Sequence, residues 1–291
     1  MEKQGNALLE MAQRLQVYAA HGRSISIMDS VSFADARDAG QIIVTGSHGG
    51  RSAGEYAARI MPLVSVCSDA GIGKNGAGVA GLKELDAFGV IGLGVSHLSA
   101  RIGDGMDIWE NGVVSYVNDC GQLAGMSPGA RLGEVLRTFL DGNPAGLARP
   151  VGASNQQSSP MERRILVENR GRRLVAMDSI SIIHDEDRDQ IVIAGSNGGL
   201  ASGELTLRVR PALVALNDAG IGKDRAGIAG LIQIDQAAIP GVGISHDTAE
   251  ISSGADMWIN GIVSFVNESA RRLGVEAGMT LPAAIMGRLT S

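Results

Sequence analysis

Aromatic side chains are scarce in this chain of 291 residues, since Phe, Tyr and Trp together make up only 3% of it. Positive charge is not in excess either, because 25 Lys and Arg stand against 31 Asp and Glu, for a net charge of -6. Nucleic-acid binding depends on basic patches that pair with phosphates and on aromatic rings that stack on bases. We therefore expect no nucleic-acid partner.

Long apolar segments are also lacking. No segment approaches the run of about 20 apolar residues that a membrane-spanning helix needs. The stretch from Met1 to Arg23 is interrupted by charged residues and has no apolar core of the kind found in a signal peptide. We expect a cytoplasmic protein without a membrane partner.

Cysteine is limited to Cys67 and Cys120, which lie in different segments. Two such residues form neither a disulfide framework nor a paired zinc motif, and the chain has no H-E-x-x-H sequence. We predict no cofactor. A carboxylate-bound divalent cation such as Mg²⁺ is left open, because carboxylates are its preferred ligands.

Glycine, by contrast, is abundant at 41 residues, and many of these glycines belong to an internal repeat. The sequence matches itself without gaps at an offset of 149 residues, which relates Asp29 to Asp178 and His97 to His246. The repeated motifs are MDSVS and MDSIS, GSHGG and GSNGG, DAGIGK in both copies, GVSH and GISH, and WENGVVSYVN and WINGIVSFVN. A long period that occurs twice is typical of a duplicated domain rather than a solenoid.

Composition sets the predicted boundaries of the two repeats. Residues 1–140 form the first repeat with an N-terminal helix, residues 141–160 form a linker rich in Gly, Pro, Ser, Asn and Gln, and residues 161–291 form the second repeat.

Each repeat predicts the same order of elements. A β-hairpin comes first, then strands that alternate with short helices, and then a last segment whose apolar spacing favours a helix (residues 113–124 and 262–273). Alternation of this kind predicts an α/β fold, an internally duplicated module with a largely parallel or mixed sheet flanked by helices and a pseudo-two-fold arrangement. In such sheets functional groups gather at the carboxyl ends of the strands.

The DAGIGK motif places glycines and a lysine between a strand and a helix. Backbone N–H groups in such a turn can bind a small anion, a role we assign to Gly71, Gly73, Gly220 and Gly222, beside Lys74 and Lys223 as candidate bases. A dinucleotide fits less well, because Arg225 replaces the third glycine of G-x-G-x-x-G in the second copy. The alternative is that the glycines only shape a tight turn.

The GSHGG motif also follows a strand. Ser47 and His48 are candidate catalytic residues, and the substrate-binding candidates here are Gly49 and Gly50 in the first copy with Ser196, Asn197 and Gly198 in the second. The alternative is that the serine is a helix cap.

A histidine ends the GVSH and GISH strands of both copies. We list His97 and His246 as catalytic candidates, with Asp69 and Asp218 as carboxylates that orient them. A structural histidine whose hydrogen bonds are all satisfied is the competing interpretation.

Several polar positions differ between the copies: Arg101 becomes Glu250, Asp104 becomes Ser253, Asp35 becomes His184 and His48 becomes Asn197. Two independent and identical sites would not diverge in this way, so we expect either a single composite site between the repeats or one active and one supporting copy, with Arg101 among the substrate-binding residues. Drift on a solvated surface is the alternative.

Ser, Lys, His and Asp at strand ends favour an enzyme acting on a small polar or anionic molecule, preferably a hydrolase of C–N bonds in amides or cyclic amides. Ser47 or water would attack, Lys74 or His97 would take the proton, and the glycine N–H groups would hold the oxyanion. The alternatives are a non-catalytic protein that binds a small metabolite, and a lyase or isomerase using the same base. A homo-oligomer is left open.

Overall fold

The computed structural model describes residues 14–144 and 161–289. The predicted N-terminal helix and nearly all of the predicted linker lie outside these residues. The chain divides into two compact units, the first made of Met1–Asp69 and Val79–Ser158 and the second of Ala70–Gly78 and Ser159–Ser291. The loop Ala70–Gly78 thus comes from the first repeat and belongs to the second unit.

The first unit contains one sheet and five short helices among its described residues. Its strands are β1 (Leu15–Ala20), β2 (Arg23–Met28), β3 (Ile42–His48), β4 (Val64–Ser68), β5 (Ile91–Val95) and β6 (Val114–Val117). Its helices are α1 (Arg51–Ile60), α2 (Ala80–Glu84), α3 (Gly105–Asn111), α4 (Asp119–Leu123) and α5 (Leu132–Asp141).

The sheet follows sequence order from β1 to β6. Strands β2 to β5 run parallel, while β1 and β6 pair antiparallel at the two edges. The predicted mixed α/β sheet is therefore correct.

The second unit repeats this architecture. Its strands are β7 (Arg163–Asn169), β8 (Arg172–Met177), β9 (Ile191–Asn197), β10 (Leu213–Asn217), β11 (Gly241–Ile244) and β12 (Val263–Val266), again in sequence order. Its helices are α6 (Leu200–Val209), α7 (Ala229–Asp235), α8 (Gly254–Asn260), α9 (Glu268–Arg272) and α10 (Leu281–Leu289). Both units are thus copies of one α/β module.

Both faces of each sheet are covered, which explains the nearly continuous apolar sequence of the central strands. In β3, Ile42 and Val44 pack into the core on one face while Ile43 packs into the core on the other. Across residues 14–144 and 161–289, no helix combines the length and apolar character needed to cross a bilayer.

One predicted element is wrong. Residues 113–124 and 262–273 were expected to be helical, but each begins with a strand, β6 or β12, and only then forms a short helix. The pairing of β6 with β5 is irregular between Gly94 and Val95, and β6 buries Val114 and Val117, three positions apart. That spacing resembles a helix, which is why the apolar pattern misled the prediction.

A buried asparagine joins the last strand of each module to its neighbours. The Asn118 side-chain oxygen accepts from the N–H groups of Gly92 (2.9 Å) and Gly121 (3.0 Å), and its amide donates to the carbonyls of Val90 (2.9 Å) and Leu82 (3.2 Å). Asn267 makes the corresponding four bonds in the second unit. The hydrogen-bonding capacity of each amide is therefore fully used.

We expect Asn118→Asp to lower the free energy of unfolding by at least about 2 kcal/mol, because it removes both donors and leaves two buried carbonyls facing a carboxylate. Urea denaturation measures the loss, and Asn143→Asp at an exposed position is the control. Equal stability of the two variants would contradict this role for Asn118.

Candidate functional site

Three neighbouring strands bring an aspartate, a histidine and a serine together in the first unit. Asp69 directly follows β4, His97 lies just beyond β5, and Ser115 is in β6. Because β4 and β5 are adjacent and parallel, their carboxyl ends meet at one edge of the sheet. We call Asp69, His97 and Ser115 the His97 cluster.

The carboxylate of Asp69 links the other two members of this cluster. Its Oδ1 lies 3.0 Å from the backbone nitrogen of His97 and 2.9 Å from the ring Nδ1, and its Oδ2 accepts from the Ser115 hydroxyl at 2.8 Å. The Asp69 side chain is 4% exposed and that of His97 is 19% exposed. The imidazole is thus fixed from the buried side.

The second unit has the same arrangement in Asp218, His246 and Ser264, the His246 cluster. Asp218 Oδ1 lies 3.0 Å from both the backbone nitrogen and Nδ1 of His246, and Oδ2 accepts from the Ser264 hydroxyl at 2.7 Å. The N–H of Gly220 also donates to Oδ1 at 3.0 Å. The structure therefore brings the predicted aspartate and histidine together in both units.

Asp218 remains ionised over a wide pH range. Burial alone would raise the pKa of this carboxyl group, but hydrogen bonds from His246, Ser264 and the Gly220 backbone outweigh that effect and hold the pKa below its usual range. An ionised Asp218 requires a proton on Nδ1 of His246. The lone pair of a neutral His246 is then on Nε2, where a base needs it.

The loop Ala70–Gly78 packs against His246 within the second unit. The backbone N–H of Lys74 donates to the His246 carbonyl at 2.8 Å. A Cβ built on Gly71 would lie 2.7 Å from Cδ2 and 2.9 Å from Nε2 of the ring, and one on Gly73 would lie 2.7 Å from the His246 carbonyl oxygen. Glycine is required at both positions by this close approach.

The side chain of Lys74 pairs with Asp256 in α8. Its Nζ lies 2.8 Å and 2.9 Å from the two carboxylate oxygens, and both side chains are mostly buried. Asp256 also accepts from the Glu250 backbone N–H and the Asn260 amide, each at 2.8 Å. Burial raises the pKa of Asp256, but these hydrogen bonds together with Lys74 lower it below the usual value. Lys74 therefore lies beside His246 with a carboxylate as its counter-ion.

Charged residues near these clusters differ between the units. Arg101 pairs with Asp104 (2.8 Å), and its backbone N–H donates to Asp107 in α3 (2.7 Å). Glu250, which replaces Arg101, accepts from the amide of Asn75 at 2.7 Å in the second unit. Lys223 begins the 3-10 helix Lys223–Ile228.

The serines of the glycine motifs are bonded to the backbone. Ser47 Oγ accepts from the Val31 N–H at 3.0 Å, and Ser196 Oγ accepts from the Ile180 N–H at 2.9 Å. Each serine supports the short 3-10 helix that follows β2 or β8, not the helix after its own strand.

His48 occupies a buried position equivalent to Asn197. Its Nδ1 accepts from the Gly50 N–H at 3.1 Å, just as Asn197 Oδ1 accepts from the Gly199 N–H at 3.0 Å. Burial lowers the pKa of His48 to about 4. His48 is therefore a neutral acceptor that supports a turn.

Most glycine N–H groups proposed to hold an anion donate to acceptors of their own unit. Gly49 and Gly198 donate to the last carbonyls of β4 and β10, at 2.8 Å and 2.9 Å. Gly73 and Gly222 donate to carbonyls two residues earlier, at 2.7 Å and 2.6 Å. These N–H groups therefore build the turns.

Among the described residues, no group of three or more His, Cys, Asp or Glu side chains is arranged to hold a metal ion. Next to His246, the carboxylate of Asp218 is instead hydrogen-bonded to the His246 ring and to the Ser264 hydroxyl.

Sequence reasoning missed Ser115, Ser264 and the pairing of Asp256 with Lys74. The serines occur in the repeated motif that was assigned to a helix, so their position next to the strand carrying the histidine was hidden. The signal that could have found these residues is their identity in both copies, where Asp107 and Asp256 correspond.

Comparison of the chain with protein-family models, with curated proteins and with solved structures gives no match.

We expect Gly71→Ala to lower the free energy of unfolding by about 2–4 kcal/mol, since the methyl group adds a collision with the His246 ring to the cost of a left-handed residue. Gly76→Ala is the matched control, because Gly76 has a similar φ of +71° against +77° at Gly71 but open space where its Cβ would be. Urea denaturation compares them. A Gly76 variant as unstable as the Gly71 variant would show that the close approach to His246 is unimportant.

We expect His48→Asn to make the protein less sensitive to acid. A pKa of about 4 in the folded state against 6.5 in the unfolded chain means that stability is complete above about pH 6.5 and is lost as the pH falls towards 4. The loss amounts to about 3 kcal/mol. Asparagine supplies the same acceptor without titrating, so this part of the loss should disappear.

Unfolding free energies of the wild type and His48→Asn at pH 7 and pH 4.5 test this expectation. The difference in unfolding free energy between the two pH values is compared for each protein. Any stability lost at all pH values because asparagine is smaller than histidine cancels in that difference. The same drop in both proteins would refute the assignment.

Proposed function

We propose that this protein is a hydrolase that acts on a small polar or anionic molecule and cleaves a C–N bond, with an Asp-oriented histidine as its general base. The observation that carries the proposal is the chain of hydrogen bonds from serine to buried aspartate to histidine, present in both units with nearly the same distances.

The arrangement suits proton transfer from water. A buried carboxylate at Nδ1 fixes the ring and stabilises the imidazolium that forms when Nε2 takes a proton. Ser264 bonds to the aspartate, on the side away from the ring, so it is not placed as a nucleophile. Ser47 is bonded to the backbone. These contacts favour water as the attacking group over either serine.

The proposed hydrolysis has two steps, addition of water to the carbonyl carbon and release of the amine. The water oxygen forms a bond to the carbonyl carbon while Nε2 takes one of its protons, and the carbonyl electrons move to the oxygen. The C–N bond then breaks as the same proton passes from Nε2 to the departing nitrogen, and the products are a carboxylic acid and an amine. Nitrogen is a poor leaving group unless it is protonated, so a histidine that returns its proton favours this class of bond.

Lys74 supports the preference for a polar or anionic substrate. Its ammonium group forms an ion pair with Asp256, and Lys74 belongs to the loop that packs on His246. We propose that this positive charge stabilises the oxyanion that develops on the carbonyl oxygen.

We expect a panel of small amides, cyclic amides and ureas, incubated with the full chain, to contain at least one compound that releases amine or ammonia. His97→Asn and His246→Asn should each lower kcat/KM if both clusters act, and the double variant should lower it by about 10²–10⁴-fold. His21→Asn is the control, because it removes an imidazole from an exposed hairpin turn.

Product formation followed by NMR separates the alternatives. A double variant that keeps full turnover would eliminate the histidine base. A compound that binds and is recovered unchanged would identify a metabolite-binding protein, while conversion without incorporation of solvent oxygen would identify a lyase or isomerase.

A further inference from the structure

We propose that Ser264 is a positioning residue that, through Asp218, holds the proton of neutral His246 on Nδ1, and that Ser115 does the same for His97 through Asp69. This inference rests on the proposed function, because a base that accepts protons at Nε2 needs that tautomer.

The two oxygens of Asp218 have separate partners. Oδ1 faces the His246 backbone, the ring Nδ1 and the Gly220 N–H, whereas the Ser264 hydroxyl is the donor at Oδ2, at 2.7 Å. Ser264 has one hydroxyl proton and two acceptors within reach, since the Gly243 carbonyl lies at 3.2 Å. The shorter distance and the negative charge direct the proton to Asp218.

A second carboxylate competes for the proton of His246. Asp247 Oδ1 lies 3.5 Å from Nε2, where it favours the tautomer with the proton on Nε2. Asp247 is 76% exposed, so water screens it, while Asp218 is buried. Lys74 meets His246 through its backbone N–H and directs its charge to Asp256. The tautomer therefore depends on how firmly Asp218 is kept ionised and oriented, and the Ser264 hydroxyl contributes to both.

The first unit provides an internal comparison. The distances from Asp69 to the His97 ring and to the Ser115 hydroxyl agree within 0.1 Å with those of Asp218 in the second unit. Leu98, however, stands where the second unit has Asp247. The Asp247 carboxylate is therefore a feature of the second unit that Leu98 does not reproduce.

The test uses the full chain labelled with ¹⁵N-histidine, at a pH above about 8, where an ordinary histidine is neutral. The ¹⁵N shifts of both ring nitrogens report the tautomer of each of the five histidines, which are assigned with single His→Asn variants. No substrate is needed.

We expect Ser264→Ala to raise the fraction of His246 with its proton on Nε2 by about tenfold, the size expected from losing one hydrogen bond to a charged group. Ser264→Thr keeps the hydroxyl and should restore the wild-type spectrum. Ser264→Cys, with a weaker donor, should give a smaller change in the same direction. Ser115→Ala should move the His97 signals and leave those of His246 in place.

Unchanged His246 signals in Ser264→Ala would overturn the inference, as would a Cys variant identical to the wild type or a Ser115 variant that moves both histidines. If Ser264→Ala does not fold, the Thr and Cys variants decide the matter alone. A tautomer that responds as expected in a protein without hydrolase activity would leave the positioning role standing and remove the proposed function. Hydrolase activity together with unchanged His246 signals in Ser264→Ala would keep the proposed function and remove the positioning role.

Discussion

A buried carboxylate at the end of the fourth strand is the feature on which each module depends. Asp218 is almost fully shielded from water, and a buried anion is tolerated only when hydrogen bonds replace its hydration. Its donors come from three places: the turn that follows β10, the second residue after β11 and the strand β12. The hydrogen bonds of this one group therefore tie the ends of three neighbouring strands together and orient the histidine ring. The same requirement at Asp69 explains why the first unit has the same geometry.

The turn that follows Asp69 or Asp218 contains many residues in the unfavourable left-handed backbone conformation. In the first repeat Ala70, Gly71, Ile72, Gly73, Asn75 and Gly76 all have positive φ, and the corresponding residues of the second repeat do as well. A β-branched residue rarely adopts that conformation, yet Ile72 and Ile221 both have φ of +61°. Each such residue costs on the order of 1–3 kcal/mol. The glycines lower that cost, and the bond from Lys74 to the His246 carbonyl together with the ion pair to Asp256 holds the loop Ala70–Gly78 in place.

The sequence was sufficient for the architecture because the relevant signals are local or repeated. Alternating strands and helices, the hairpin and the ends of β4 and β5 could be read from apolar period and turn residues, and the offset of 149 residues revealed the duplication. It was not sufficient for β6, where an irregular pairing buries valines at helical spacing. Nor did it reveal that Ser264 faces Asp218 or that Lys74 faces Asp256, since these contacts join residues 46 and 182 positions apart. Ser47 and His48 were chosen as catalytic candidates by residue type alone. In the structure both accept hydrogen bonds from backbone N–H groups and so support local backbone structure.

The differences between the two units have a physical pattern. Groups that satisfy buried charge are kept: the aspartate, the histidine and the serine of each cluster, the four-bonded asparagine, and Asp107 or Asp256 with the asparagine that donates to it. Residues outside these hydrogen-bonded groups differ between the units. Arg101 and Asp104 of the first unit correspond to Glu250 and Ser253 of the second, and Leu98 corresponds to Asp247. A buried donor that is lost leaves an unsatisfied charge, whereas an exposed charge is compensated by water, so substitution is costly only for the first kind. The two clusters therefore share one hydrogen-bonded geometry, while the residues that follow each histidine differ in charge between the units.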